Sequence, residues 1–367
     1  MSKKLYSLLA LLMVLSLVLA ACGGTTEEPA VEEPAVEEPA AEEEVAEEPE
    51  EEMEEEMMAG LYCQVTDVGG IDDKSFNATA FAGMLEAVAD FGGEGKFLES
   101  QEQADYEINL NAFVDEGCDI IFMVGFLHGD ATAVGAAAYP DQEFAIIDFA
   151  YDPAFDNVTG HVFATDQAAF LAGYAAAATS QTGVVGTFGG IPIPPVTVFM
   201  DGFYFGVQYY NAEHGTDVTV LGWDPASPDT GLFTGNFESL DDGRALGISL
   251  MDEGADVIMP VAGPVGLGTA AAVQERGNAW IVGVDTDWTQ SASEYADVIL
   301  GSVMKRMDVS VYTQIENYVN GVDSGTLYVG TLENGGVSLV GSYDADLQAE
   351  LDAAAAGIIA GDIQTAP

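Results

Sequence analysis

The densest run of polar chemistry in the chain is Thr66-Asp67-Val68-Gly69-Gly70-Ile71-Asp72-Asp73-Lys74-Ser75-Phe76-Asn77. Leu61–Thr66 before the acid reads as a strand, and Ser75–Phe91 reads as a helix with apolar residues at helical spacing. A strand thus ends in a carboxylate, two glycines free the backbone, and a polar cluster opens a helix. Exposed amides at a helix N-terminus hold polar ligand atoms, and Phe76 beside Asn77 adds a flat apolar face next to an amide. Read alone, these residues serve as well for capping and turning, with Phe76 in the core. The chemistry they suggest is binding. The histidines (His128, His161, His214) are scattered, no metal-ligand spacing occurs, and no nucleophile sits beside a base, so neither metal nor cofactor is expected.

A second run imitates cofactor chemistry. Val261-Ala262-Gly263-Pro264-Val265-Gly266-Leu267-Gly268 follows a predicted strand and opens a helix, and Asp285 ends the next strand. That is the layout of a dinucleotide fingerprint with its ribose-binding acid. Val261, however, stands where the tight turn needs glycine, which makes a dinucleotide-dependent enzyme the weaker reading.

These residues need elements to hold them. From about Ala59 the chain alternates strand and helix through Asp119–Val124, Phe144–Asp148 and His161–Ala164 to the Ala-rich helix Asp166–Ser180. The pattern restarts at Val184–Thr187 and runs through Val257–Val261 to Trp280–Val284. Near-continuous apolar strands separated by helices predict parallel sheets covered on both faces, and two series in tandem predict two similar doubly wound α/β lobes. The expected division is 59–182 plus about 304–326 for the first lobe and 183–303 plus about 327–367 for the second. Leu327–Val340, turning at Asn334-Gly335-Gly336, reads as a hairpin. In open sheets ligands sit beyond the carboxyl ends of strands. Those ends carry Asp67, Gly125-Phe126, Asp148, Gly189-Gly190, Gly263 and Asp285, which predicts a site in a cleft between the lobes.

The N-terminus says where the domain resides. Lys3 and Lys4 precede an apolar run, Leu5 to Ala20, that ends in Ala21-Cys22. This is the layout of an export signal and is too short for a comfortable membrane span. It resembles a bacterial lipobox, in which Cys22 is lipidated, predicting a membrane-anchored, extracytoplasmic protein. Glu27 to Glu56 is a drifting repeat of Glu, Pro, Ala and Val with 17 Glu and no base. It is expected to be a disordered acidic tether within 23–58, reaching on the order of 100 Å. Taking the tether's 17 acids and the two leader lysines from the chain's 62 acids and eight bases leaves 45 acids and six bases, a difference of −39 for the folded part. Nucleic acid as a partner is excluded, since phosphate binding needs clustered Lys and Arg, and multi-anionic ligands are disfavoured. Cys63 and Cys118 read as buried free thiols in central strands, a disulfide being conceivable for an exported protein.

The Thr66–Asn77 run combines with Phe163-Ala164-Thr165-Asp166-Gln167-Ala168-Ala169-Phe170-Leu171-Ala172-Gly173-Tyr174, Asp201-Gly202-Phe203, Gly254-Ala255-Asp256-Val257-Ile258, Gly283-Val284-Asp285 and Ser302-Val303-Met304-Lys305-Arg306. Together, over Leu61 to about Val340, they resemble the Bmp (basic membrane protein) family of substrate-binding lipoproteins, which includes purine nucleoside receptors of ABC importers. The resemblance implies a type I periplasmic-binding fold, two lobes joined by a hinge. It implies a monomer that binds a nucleoside and delivers it to a permease with its ATPase. By that resemblance Phe76 is one stacking ring, and Phe237 the other, with Phe233 close by. Asp67 and Asn77 are base-side or cleft-edge contacts, Asp285 and Lys305 a paired ribose clamp, and Gly263 the glycine that lets backbone approach the sugar. Phe126 and Asp148 face the same cleft. Where the family continues with a small residue, Asp and Gln after Asp285, this chain has Thr286-Asp287-Trp288; the tryptophan narrows the cleft, stacks on ligand or packs at its rim. Some relatives bind a flavin, so riboflavin is an alternative ligand, and a ligand-presenting sensor an alternative role.

Overall fold

The computed structural model describes residues 60–322 and 324–366. The export signal, Cys22 and the tether lie outside the described residues. The elements in chain order are β1 (Leu61–Val65), α1 (Phe76–Phe91), β2 (Glu94–Leu98), α2 (Asp105–Glu116), β3 (Ile120–Val124), α3 (Gly129–Ala138), β4 (Glu143–Ile147), β5 (Val158–Phe163) and α4 (Thr165–Thr179). Then come β6 (Val184–Gly189), α5 (Pro194–His214), β7 (Thr219–Leu221), α6 (Leu240–Asp252), β8 (Val257–Val261), α7 (Val265–Arg276), β9 (Trp280–Asp285) and α8 (Trp288–Ser291). The chain ends with β10 (Ile299–Lys305), α9 (Met307–Val319), β11 (Leu327–Gly330), β12 (Val337–Gly341) and α10 (Ala345–Ala360).

The strands form two six-stranded sheets, ordered β11-β5-β4-β3-β1-β2 and β12-β10-β9-β8-β6-β7. Both are parallel except where β12 runs antiparallel to β10. The inner strands β3 and β8 are buried along their whole length, as unbroken apolar runs covered by helices on both faces must be. Among the described residues no helix is long and apolar enough to cross a membrane.

Three details differ from the sequence reading. The expected hairpin is not one: β11 pairs with β5 in the first sheet, while β12 pairs with β10 in the second. The turn between them exists, because Asn334 Oδ1 accepts from the Thr331 and Gly336 amides, but it joins strands of different sheets. Helix α4, expected with the first lobe, packs on α5, β10 and β12, and so covers the second sheet, whereas α9 packs on α1 of the first. The chain therefore crosses between the lobes three times, after β5, after β10 and after β11. Finally, Cys63 and Cys118 are not free thiols. They form a disulfide with Cα atoms 6.0 Å apart. Cys118 falls two residues before β3, in the turn that enters it, and β1 is the strand beside β3.

Candidate functional site

The site begins where β1 ends. Asp73 accepts from the amides of Ser75 (2.9 Å), Asn77 (2.7 Å) and Ala78 (3.1 Å), so its carboxylate caps the otherwise unpaired N-terminus of α1. Asp67 Oδ1 accepts from the Gly69 amide at 2.9 Å and from Asn77 Nδ2 at 2.7 Å. The Asn77 amide also reaches Asp73 Oδ2, and its oxygen accepts from the Asp67 amide. Asn77 is thus spent on orienting two carboxylates. It is fully buried and does not line the cavity, so its expected role as a direct contact gives way to that of a support.

The opposite wall comes from the second lobe. Asp285 is the last residue of β9, and its Oδ2 accepts from Ser75 Oγ of the first lobe at 2.9 Å. Lys305 is the last residue of β10. The expected Lys305–Asp285 pair is not formed; the Lys305 ammonium meets Asp148 Oδ2 at 2.5 Å, with side chains only 3% and 7% exposed. The reason is geometric: Asp148 follows β4 of the first sheet and faces Lys305 across the cleft. Lys305 Nζ also lies 4.9 Å from the Phe76 ring centroid, a cation–π contact in a desolvated setting.

These groups surround one cavity of about 670 Å³, mouth included, between the two lobes. Asp67, Phe76, Phe126, Asp148, Phe237, Gly263, Asp285 and Lys305 all line it. Phe237 lies against the Gly190 backbone beyond β6, so closely that a side chain there would overlap the ring. Phe233 instead packs edge-on to Trp223, outside the lining. At Gly263 the space above Cα is open and φ is +54°, so the backbone bend rather than a neighbour calls for glycine. Trp288 does not reach the cavity. It is buried over Gly283 and Gly266, donating from Nε1 to Val284 O at 3.0 Å, and so packs beneath the end of β9. Gly266, part of the apparent dinucleotide fingerprint, is likewise filled by packing against Trp288 and Pro260.

The sequence reading missed one wall. Ile193, which caps α5, and Pro195, Val196 and Phe199 from its first turns line the cavity along with Phe237. A signal existed: α5 opens directly beyond the end of β6, where ligands of open sheets sit. Asp73 was missed as well, because its spacing reads as turn chemistry.

Electrostatically the cavity holds four carboxylates and one ammonium. Burial raises the Asp67 carboxyl, opposed by its bonds from Asn77 and Gly69. It pushes Asp73 up to about 6 despite three backbone amides. It raises Asp148 against the pull of Lys305. Asp285 is pushed up to about 6, by burial first, with Lys305 and Ser75 opposing and the charges of Asp148 and Asp73 adding. Among the described residues, Asp67 Oδ2, Asp148 Oδ1 and Asp285 Oδ1 have no hydrogen-bond partner. The cavity therefore offers flat apolar faces and unfilled acceptors, a pattern that takes up hydrogen-bond donors and repels anions. No group of three or more potential metal ligands occurs among the described residues.

Comparison with known proteins agrees with this architecture. The chain is 30% identical over 299 residues to basic membrane protein A of Borreliella burgdorferi, covering 79% of this chain and 83% of that one. It is 27% identical to the ABC transporter nucleoside-binding protein BmpA of Lactococcus lactis, covering 75% and 80%. A crystal structure of an ABC transporter solute-binding protein from Aeropyrum pernix superposes with a TM-score of 0.74 at 29% identity, covering 83% of this chain and 92% of that one. The fold is the two-lobed, hinged type I solute-binding fold. Residues 62–356 match the Bmp family model, described as ABC transporter substrate-binding protein, PnrA-like. Two parallel sheets closing on one cavity at their strand ends are the frame of a solute receptor, and this chain belongs to the Bmp family of ABC transporter substrate-binding proteins.

Proposed function

We propose that this protein captures a purine nucleoside between its lobes and hands it to an ABC permease with its ATPase, without catalysing a reaction. The observation that carries the reading is the coincidence in one cavity of Phe76, Phe237 and three unfilled carboxylate oxygens. Two aromatic faces grip a planar base, each ring contact adding about 0.5–1.5 kcal/mol beyond area burial. Vicinal ribose hydroxyls donate to Asp285 and Asp148 in charge-assisted bonds. Four acids against one Lys305 disfavour a ligand phosphate, so a nucleoside is preferred to its nucleotide. The name of the Lactococcus relative points the same way. Anchoring through lipidated Cys22 on the extracytoplasmic face and ligand-stabilised hinge closure complete the proposal.

The test is a thermal-shift panel of adenosine, guanosine, inosine, their 5′-monophosphates, riboflavin and simple sugars. A ligand that binds only the folded state raises the melting temperature. Purine nucleosides should give the largest rise and their monophosphates a much smaller one. Absence of any rise with purine nucleosides sinks the reading, and a larger rise with riboflavin replaces its ligand.

A further inference from the structure

We propose a second binding site in the first lobe, for a small neutral polyhydroxylated molecule such as a polyol or monosaccharide. A cavity of about 400 Å³, mouth included, lies between β5, α9 and β11. It shares no lining residue with the inter-lobe cleft. Its polar lining includes Thr159, His161, Ser310, Gln314 and Asn317, with Tyr328 at one side, and no acid, lysine or arginine lines it.

Three buried polar atoms in this lining lack a partner among the described residues: both ring nitrogens of His161 and Oγ1 of Thr159. Each residue is 1% exposed. Buried polar atoms are nearly always hydrogen-bonded, and leaving one unpaired is costly, so three on two residues that line one cavity are acceptors and donors that an occupant reaching them would satisfy. Burial pushes the imidazole down to about 3, so His161 is neutral and offers one donor and one acceptor. The Tyr328 ring lies 5.6 Å from the His161 ring, centroid to centroid, tilted by 32°, which adds an aromatic face. A charged ligand would find no counter-charge in this lining, and an apolar one would leave the three atoms unpaired. An uncharged molecule with several hydroxyls satisfies them.

The position carries a consequence. β5 leads into the first crossing between the lobes, α9 emerges from the second, and β11 leads into the third. A molecule bonded to His161 and Gln314 beside Tyr328 ties together the three first-lobe elements that run to the crossings.

The experiment measures binding of xylitol and D-glucose to the full chain, by titration calorimetry, in wild type, Asp285→Ala and His161→Phe. Binding in about the millimolar range is expected in wild type. It should persist in Asp285→Ala, which disables the cleft, and weaken by about tenfold or more in His161→Phe. Where His161→Phe fails to fold, Gln314→Leu takes its place. No binding in wild type, loss in Asp285→Ala, or survival in the His161 variant overturns the site. Nucleoside affinity, titrated separately on the same samples, reports on the cleft alone.

Discussion

Asp148 and Asp285 occupy equivalent places in the two lobes. Each stands at the carboxyl end of the third strand from the edge, β4 in the first sheet and β9 in the second. Each has φ of +69°, a left-handed conformation that aspartate tolerates better than most residues but that is retained only where the surroundings hold it. Both are served from the opposite lobe, yet differently. Asp148 is in direct contact with the Lys305 ammonium, while Asp285 takes a direct hydrogen bond from the Ser75 hydroxyl and feels Lys305 without an ion-pair contact. The same backbone device therefore yields one carboxylate locked in an ion pair and one left under-compensated, its carboxyl pushed up to about 6. The fold repeats; the contacts do not: burial raises both carboxyls, and the asymmetry leaves Asp285 as the acid of the two without a cation in direct contact.

The sharpest way to break the comparison is to remove the one charge that separates the two acids. Lys305→Met leaves Asp148 buried without its partner and should lower unfolding free energy by about 3–5 kcal/mol, measured by denaturant titration. Lys305→Met combined with Asp148→Asn should recover much of that loss. Equal damage in the single and double variants would show that the pair is not coupled.

A pH series comes next in size. Asp285 titrates at about 6 in the folded state against an ordinary value near 3.8, so the folded form binds its proton more tightly. The stability linked to that proton is fully present below the ordinary value and is lost as pH rises through about 6. Two pH units correspond to roughly 3 kcal/mol. The melting temperature of the ligand-free protein should rise as pH falls from 7 towards 5, and Asp285→Asn should reduce the rise, leaving the contributions of Asp67, Asp73 and Asp148, which shift the same way. Nucleoside affinity should move oppositely, since a protonated Asp285 is a poorer acceptor. Affinity that is flat between pH 5 and 7.5 would remove Asp285 from ligand contact.

Smaller again are the direct contacts. Phe76→Ala and Asp285→Ala should each weaken nucleoside binding by about tenfold or more, read by calorimetry. Asp148→Ala is expected to combine lost binding with lost stability, because it also strands Lys305.

What the sequence made legible follows a physical line. Apolar strands and helical spacing are local signals, so the two series of elements and the residues at their ends, Asp67, Phe126, Gly263 and Asp285, could be located from them. Contacts across the cleft are not local. Nothing within Ser302–Arg306 says whether Lys305 meets Asp285 on the neighbouring strand or Asp148 on the other sheet, and the family likeness pointed to the former. The turn at Asn334-Gly335-Gly336 is likewise correct as a turn and misleading as a hairpin, because turn chemistry carries no information about which sheet each strand joins. Cys63 and Cys118 show the same limit: it is the pairing of β1 with β3 that brings Cys118, just before β3, to Cys63 in β1, and no local signal states which strands are neighbours. The apolar wall at Val196 and Phe199 could be placed only by where α5 opens, beyond the end of β6, because a helix face turned to a cleft has the same periodicity as one turned to a core.

A solvent-exposed cross-lobe contact sharpens the comparison most finely. Lys74 and Glu294 meet at 3.2 Å across the cleft mouth, each about half exposed. Like Lys305–Asp148, this is a cation of one lobe on an acid of the other, but here water competes on all sides, and such pairs contribute about 0–1 kcal/mol. Lys74→Ala should therefore leave the melting temperature within about a degree or two of wild type and speed ligand release by less than about fivefold. Its effect should vanish in molar salt, where screening acts over about 3 Å, while that of Lys305→Met should persist because its pair is shielded from solvent. Release rates measured by stopped flow at low and high salt separate the two. If both variants lost their effect in salt, Lys305 and Asp148 would be solvated, and the desolvated cleft on which the asymmetry of the two acids depends would be wrong.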